Sequence, residues 1–444
     1  MATVKDATIF ALSSGPPPAG VAVLRVSGPA VRDILETIIG SIPEPRRATL
    51  AFLRSGDGST IDSGLALFFP GPASFTGEDV AEFHVHGGRA VIAAMIARLS
   101  ALAGVRPAEP GEFTRRAFAA GRLDLTEVEG LADLIHAETE AQRRQAVRQA
   151  SGALRRAFDG WRARLVRARA MVEAELDFAD EEDVPDAVSA RAWDDVRAVA
   201  ADIARHLDDG GRGERLRDGA EVVVVGPVNA GKSSLINAFA RRDVAIVSDE
   251  PGTTRDLIEV RLDVGGYPFT IVDTAGLREA EGRVEQEGIR RARARAAAAD
   301  LVIAVSDVRE LPGPALGDAG PVLRVGNKID LIDSPTERAR LAAAVDVLVS
   351  AETGEGIDSL LAELAAFARE RMEPGESSLI TQARHRDALE ACRRALLSAL
   401  GHALPLELRA EELRHATDAL GRLTGRVDVE DLLDFIFRDF CIGK

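Results

Sequence analysis

The chain has 444 residues and a mass of 47.2 kDa, enough for two or three domains with cores of their own. Hydrophobic residues make up 46% of it, yet no run approaches the roughly 20 apolar residues of a membrane span, which argues against a membrane protein. A net charge of −16 excludes a global electrostatic footprint for nucleic acid, so contact with RNA needs a local basic patch or a partner.

The opening Met1-Ala-Thr-Val-Lys-Asp6 has no apolar signal region, and the two cysteines, Cys392 and Cys441, cannot make a disulfide framework. A cytoplasmic protein is expected. Residues 1 to about 118 mix helical stretches with short β-like runs at Val21–Val26, Leu65–Phe69 and Glu82–Val85, punctuated by Pro and Gly. This predicts a small α/β domain over 1–119. From about 122 to 210 long Ala/Arg/Glu/Leu segments carry helical periodicity, the first part of a helical domain over 120–216. Asp208-Asp-Gly-Gly-Arg-Gly213 reads as a flexible junction. A new α/β unit over 217–375 then opens with Glu221–Val225. Further strand runs follow at Thr270–Val272, Leu301–Val305, Val322–Val325 and Asp346–Val349. Strands alternating with helical stretches imply a mostly parallel sheet covered on both faces. After Pro374-Gly375 helical composition returns, giving a second helical part over 376–444. The expected fold class is α/β plus all-α multidomain, with the helical domain interrupted by an inserted Ras-like P-loop domain.

Gly226-x4-Gly231-Lys232-Ser233 follows a strand run and precedes the helical stretch Ser234–Ala240, the context a P-loop requires. Its glycines turn backbone N–H groups toward phosphate oxygens, and the helix presents its positive end to them. Lys232 is expected on the β/γ-phosphates and Ser233 on Mg²⁺, with Asn229, Ala230, Gly231 and Ser234 also in the nucleotide site. Asp273 ends a strand and reaches the Mg²⁺ sphere through water. Thr274 and Ala275 lead to Gly276, whose N–H faces the γ-phosphate. Asn327, Lys328, Ile329 and Asp330 end another strand. The Asp330 carboxylate accepts two hydrogen bonds from guanine's N1–H and N2 amine, which adenine does not offer. Ser350, Ala351 and Glu352 follow the last strand and place N–H groups at guanine O6. All four motifs fall at the C-terminal ends of strands, the ligand edge of an open α/β sheet. The nucleotide expected is GTP.

Pro251, Gly252, Thr253 and Thr254 stand where a switch loop belongs, Thr254 completing the Mg²⁺ shell only with a γ-phosphate present. Ras-like enzymes orient the attacking water with a Gln after the Asp-x-x-Gly motif. Here Leu277 stands there, so catalysis must borrow water positioning and charge from elsewhere. Asn229 can help ligate a monovalent cation, acting where an arginine finger otherwise does. Glu285 reads either as a solvated acid or as a group that orients water through a bridge.

These motifs resemble the TrmE–Era–Obg branch of translation-associated GTPases. Ser74-Phe-Thr-Gly-Glu-Asp79, His86-Gly-Gly88, Pro110-Gly-Glu-Phe-Thr114, Arg122-Leu-Asp-Leu-Thr126 and Phe440-Cys-Ile-Gly-Lys444 narrow the likeness to the tRNA modification GTPase (MnmE, TrmE) family, over essentially the whole chain. The resemblance implies an N-terminal folate-binding and dimerisation domain, a helical domain, and a GTPase inserted into it. It implies a homodimer that joins the FAD-dependent MnmG, two copies of each, to add an aminomethyl-type group at C5 of the wobble uridine of certain tRNAs. The one-carbon unit comes from 5-formyltetrahydrofolate or a related tetrahydrofolate, and GTP hydrolysis depends on K⁺. Carried over by motif, the folate contacts are Arg25, Glu82, Arg122 and Lys444. The K⁺ ligands are Asn229, Ser248, Glu250 and Thr253, with Asp249 in the same loop; Mg²⁺ is held by Ser233 and Thr254; Glu285 aligns with a water-positioning glutamate. The family usually has Lys where this chain has Arg122, and often Pro-Gly-Arg-Gly where it reads Gly15-Pro-Pro-Pro-Ala-Gly20.

Only four lysines, Lys5, Lys232, Lys328 and Lys444, stand among 55 basic residues, and three of them fall in these motifs. Cys441 reads as a nucleophile or acid of the modification chemistry or as a small apolar residue beside Phe440. His84 and His86 share a strand face without a metal-spaced partner, and Arg290–Arg295 reads as a solvated face or an RNA or partner contact. The rival expectation is a regulatory GTP-switch protein in ribosome assembly, which would not need the residues outside 217–375.

Overall fold

The computed structural model describes residues 7–177, 187–242, 244–246, 259–273, 294–311, 320–373, 375, 380–401, 403–426, 440 and 443. The chain divides into two compact units, Met1–Ala132 with Gln149–Arg162 and Leu420–Lys444, and Asp133–Arg148 with Ala163–Ala419. No helix among the described residues is long and apolar enough to cross a membrane.

The first unit begins with β1 (Thr8–Leu12), β2 (Ala19–Ser27), α1 (Val31–Ile39), β3 (Thr49–Arg54), β4 (Thr60–Phe69) and β5 (Val80–Gly87). It continues with α2 (Arg89–Ser100), β6 (Val105–Pro107) and α3 (Glu112–Ala119). The six strands form one sheet in the order β3-β4-β5-β2-β1-β6. Side chains alternate across it, as the period of two demands. Leu24, Val26, Phe68 and Phe83 point to one face and pack with Ile34 and Leu35 of α1 and with Met95 and Leu99 of α2. The other face carries Arg25 opposite Glu82, and Leu50 opposite Leu65. Leu50 and Phe52 on this face are 74% and 61% exposed.

Helices α4 (Leu125–His136), α5 (Glu140–Ala150), α6 (Ala153–Asp177) and α7 (Ala187–Leu207) follow. A capping box opens α4: the Glu127 amide donates to Asp124 Oδ1 at 2.8 Å and the Asp124 amide to Glu127 Oε2 at 2.8 Å.

The second unit holds α8 (Arg212–Asp218), β7 (Ala220–Val225), α9 (Lys232–Ala240), β8 (Glu259–Val264), β9 (Tyr267–Asp273) and β10 (Leu301–Asp307). Then come β11 (Val322–Asn327), α10 (Pro335–Ala342), β12 (Val347–Leu348) and α11 (Ile357–Met372). Its sheet runs β12-β11-β10-β7-β9-β8, parallel except for the β8–β9 pair. Val222, Val224, Ile303 and Val305 pack on one side with Leu235, Phe239 and Leu364. Val223, Val272 and Val302 pack on the other with Ala296 and Ala299. Burial on both faces is why these strands read as continuous valine and isoleucine runs. Helices α12 (Ala383–Leu400) and α13 (Leu406–Leu423) complete the described chain, α12 packing on α7. The α/β unit thus lies in sequence between helices of one helical layer.

One expectation is corrected. Asp208–Gly213 is not a loose junction: it is a tied turn. Gly210 and Gly211 take φ of 70° and 74°, which favours glycine, and Arg386 of α12 clamps the turn. Its guanidinium donates to Asp209 Oδ1 at 2.9 Å, Glu214 Oε2 at 2.7 Å and the Leu207 carbonyl at 2.9 Å. The clamp comes from a residue far along the chain, which local composition does not reveal.

Candidate functional site

The P-loop runs from the end of β7 into α9. Gly231, at φ 93°, caps the helix, and a Cβ there would stand 2.1 Å from Asn327 Nδ2, so only glycine fits. Lys232 is 7% exposed; its ammonium donates to the carbonyls of Gly226 and Pro227 at 3.0 and 2.9 Å. That places the cation inside the turn of the loop, beside the amides a phosphate would use. The Ser233 hydroxyl donates to Asp273 Oδ2 at 3.0 Å, bringing together a helix N-terminus and a strand end. A hydroxyl and a buried carboxylate form an oxygen-only donor pair, which fits Mg²⁺.

Asn327 joins the two halves of the candidate nucleotide site. Its Nδ2 donates to the Ala230 carbonyl at 2.9 Å, and its Oδ1 accepts from the Ala351 amide at 3.0 Å. One buried side chain therefore ties the phosphate loop to the loop after β12. Ser350 is fully buried and its hydroxyl accepts from the Thr353 amide at 3.1 Å, shaping that loop. Lys328 takes φ 69°, and its ammonium pairs with Asp307 Oδ2 at 3.0 Å. Hydrogen bonds from Arg309, with Lys328 adding to them, hold the Asp307 carboxyl far below the usual carboxylate range against the cost of burial. Asp307 was not among the residues read from the sequence; its one signal is a carboxylate at the C-terminal end of an apolar strand. Ile329 is buried behind the loop, and Asp330 follows it in a 3-10 turn. The positions expected at Ser248, Asp249, Glu250, Pro251, Gly252, Thr253, Thr254, Thr274, Ala275, Gly276, Glu285, Cys441 and Lys444 lie outside the described residues.

A second site occupies the first unit. A cavity of about 540 Å³ opens beside β2, β4 and β5, lined by Arg25, Glu82 and Arg122 together with Arg46, Phe69 and Phe75. The sequence brought three of these forward; Arg46 lies in a loop and carried no signal. Arg25 donates to Glu82 Oε1 at 2.9 Å, and its guanidinium lies over the Phe75 and Phe113 rings at 5.7 and 5.8 Å. The conspicuous Ser74–Asp79 and Pro110–Thr114 motifs build the frame behind the cavity. Ser27 donates to Glu78 at 2.8 Å, and Arg116 bonds Glu78 and Glu112, each at 3.0 Å.

His84 lies 3.3 Å from Glu82 and His86 2.9 Å from Asp62. No metal-holding cluster of acids, histidines and cysteines exists among the described residues. Cys392 is fully buried, and burial pushes its thiol up to about 12, which removes it as a nucleophile.

A glycine-turned loop feeding a helix, a strand-end carboxylate on its serine, and an Asn bridge to a base-side loop define a P-loop GTPase. Comparison with known proteins then gives the family. The description "MnmE helical domain" matches residues 125–441, and "GTP-binding protein TrmE N-terminus" matches 8–122. A tRNA modification GTPase MnmE of Mesorhizobium japonicum is 56% identical over 98% of this chain and 99% of its own. That of Parvibaculum lavamentivorans is 57% identical over 98% of this chain and 100% of its own. The chain belongs to the tRNA modification GTPase MnmE family. Among solved structures, the G domain of the T. maritima FeoB iron transporter is 26% identical over 34% of this chain and 98% of that one, at a TM-score of 0.25.

Proposed function

We propose that this chain hydrolyses GTP with Mg²⁺ and K⁺ and, as a homodimer with the FAD-dependent MnmG, modifies C5 of the tRNA wobble uridine with a tetrahydrofolate-borne carbon. The observation that carries the reading is the coexistence of two sites, the Asn327-bridged nucleotide site and the Arg25–Glu82 cavity. A purely regulatory switch needs the first and has no use for the second. Lys232 neutralises the phosphates, Ser233 and Asp273 serve Mg²⁺, and Asp330 reads guanine. Asn229, at φ 63° in the exposed tip of the P-loop, offers its side chain to K⁺ with Ser248, Glu250 and Thr253. Thr254 completes the Mg²⁺ shell, Glu285 orients the attacking water, and Cys441 acts in the modification chemistry.

In the cavity, Glu82 suits the N–H and amine edge of a pterin, which has the same donor pattern as guanine, while Arg25 and Phe75 border the ring. Arg122 and Lys444 add positive charge. Bound tetrahydrofolate supplies the carbon; the protein's own groups bind and orient it. The exposed Leu50, Phe52 and Leu65 on the same sheet face support pairing with a second copy.

Isothermal titration of the full chain with 5-formyltetrahydrofolate tests the reading: binding is expected, and its absence would leave the switch interpretation standing. Hydrolysis measured in K⁺ and in Na⁺ tests the cation site, with equal rates counting against it. If Cys441→Ser leaves tRNA modification and hydrolysis intact, the proposed role of that thiol is lost.

A further inference from the structure

The charges in the first unit's cavity do not balance. Three guanidiniums, of Arg25, Arg46 and Arg122, line it with a single carboxylate, that of Glu82. Glu82 is already engaged by Arg25 at 2.9 Å. Neither Arg46 nor Arg122 makes an ion pair among the described residues. Uncompensated guanidiniums converging on a cavity favour a ligand that brings negative charge of its own, carboxylates above all, which their planar fork matches.

Arg46 is also held in place. Its backbone takes φ 63°, an arrangement that is costly for a residue with a Cβ. Its amide donates to the Phe68 carbonyl at 2.8 Å, its guanidinium donates to the Ala73 carbonyl, and its charge lies over the Phe69 ring at 5.7 Å. A long cationic side chain on an exposed loop ordinarily samples many rotamers. This one is tethered at backbone, head and ring face, so little freedom remains to be lost when a ligand binds.

We infer that Arg46 is a specificity-determining residue of this cavity, taking the carboxylate-bearing glutamate tail of the tetrahydrofolate, so that the site selects ligands by tail charge. The inference rests on the folate reading above and adds a residue and a preference to it. Arg25 and Glu82 stay with the ring, and added γ-linked glutamates, each bringing a further carboxylate, strengthen binding through Arg46 and Arg122.

The test is calorimetric titration of the full chain and its Arg46→Gln variant with three ligands. These are 5-formyltetrahydrofolate, its triglutamate, and 5-formyltetrahydropteroate, which has the ring but no glutamate. For the unaltered protein the expected order is triglutamate tightest and tail-less form weakest. Arg46→Gln should weaken the folate about tenfold, the loss of one charge-assisted bond, and leave the tail-less form within about twofold. Arg46→Lys, which keeps the charge and loses the fork, should fall between. Equal weakening of all three ligands, or none in either variant, overturns the assignment of Arg46 while leaving the folate site intact. If the unaltered protein binds no ligand, the folate reading falls and this inference with it.

Discussion

Asn327 shows how one side chain ties together two loops of the candidate nucleotide site. Its side-chain amide donates to the Ala230 carbonyl of the P-loop and accepts from the Ala351 amide of the loop after β12, and no other common residue offers both at that length. Asn327→Ala strands the Ala230 carbonyl and the Ala351 amide, each costing about 1–3 kcal/mol when buried without a partner. We expect GDP to dissociate at least about tenfold faster from this variant, measured by stopped-flow fluorescence of a labelled nucleotide. An unchanged rate would mean that the two loops hold their places independently. Asn327 was legible in the sequence as part of a motif, though its bridging role was not. That role needs the geometry of two loops separated by many residues.

At the scale of elements, α3 and β3 carry the first unit's distinguishing features. Glu112, in the first turn of α3, is 3% exposed. Burial opposes its ionisation, but bonds from Arg106, the Glu109 amide and Arg116 outweigh that and hold its carboxyl below the ordinary value of 4.5. A depressed acid stabilises the fold above its unfolded value and ceases to do so as pH falls through the folded one. Glu112→Gln should therefore destabilise the chain by about 3 kcal/mol at neutral pH, leaving Arg116 buried with a weakened partner set. In urea melts the gap between variant and parent should narrow as pH drops below 4.5; a gap independent of pH would point to packing instead of charge. On β3, Phe52 stands 61% exposed on the sheet face opposite α1 and α2. Phe52→Asp should raise the dimer dissociation constant by about tenfold or more in sedimentation experiments, if this strip meets a second copy. Strand alternation on β5 was readable from the sequence. Edge strand β3, lacking a strong alternating signal, was not.

At the scale of the molecule, a GTPase inserted in a helical domain requires its way in and its way out to lie together. They do: Arg215 of α8 donates to the carbonyl of Arg371 of α11 at 3.4 Å, and a Cβ on Gly213 would stand 2.0 Å from the Ile380 carbonyl. Arg386 then locks the turn before α8 to the helix that resumes after the insertion. Arg386→Ala removes the Arg386 ion pair from Asp209, whose side chain is 3% exposed, and from Glu214. A loss of about 3 kcal/mol is expected, seen as a fall of roughly 5 °C or more in the melting midpoint. A midpoint within about 1 °C of the parent would show the turn to be held by packing alone. The sequence by itself determined what local pattern encodes: apolar period, glycine-turned loops, and the motif residues Lys232 and Ser233 at a helix start and Asp273 and Asn327 at strand ends. Only the tertiary structure decided what distance along the chain conceals. It set Arg386 on the junction, Asp307 on Lys328 and Arg46 on the cavity, because charges pair through space and leave no period in the sequence.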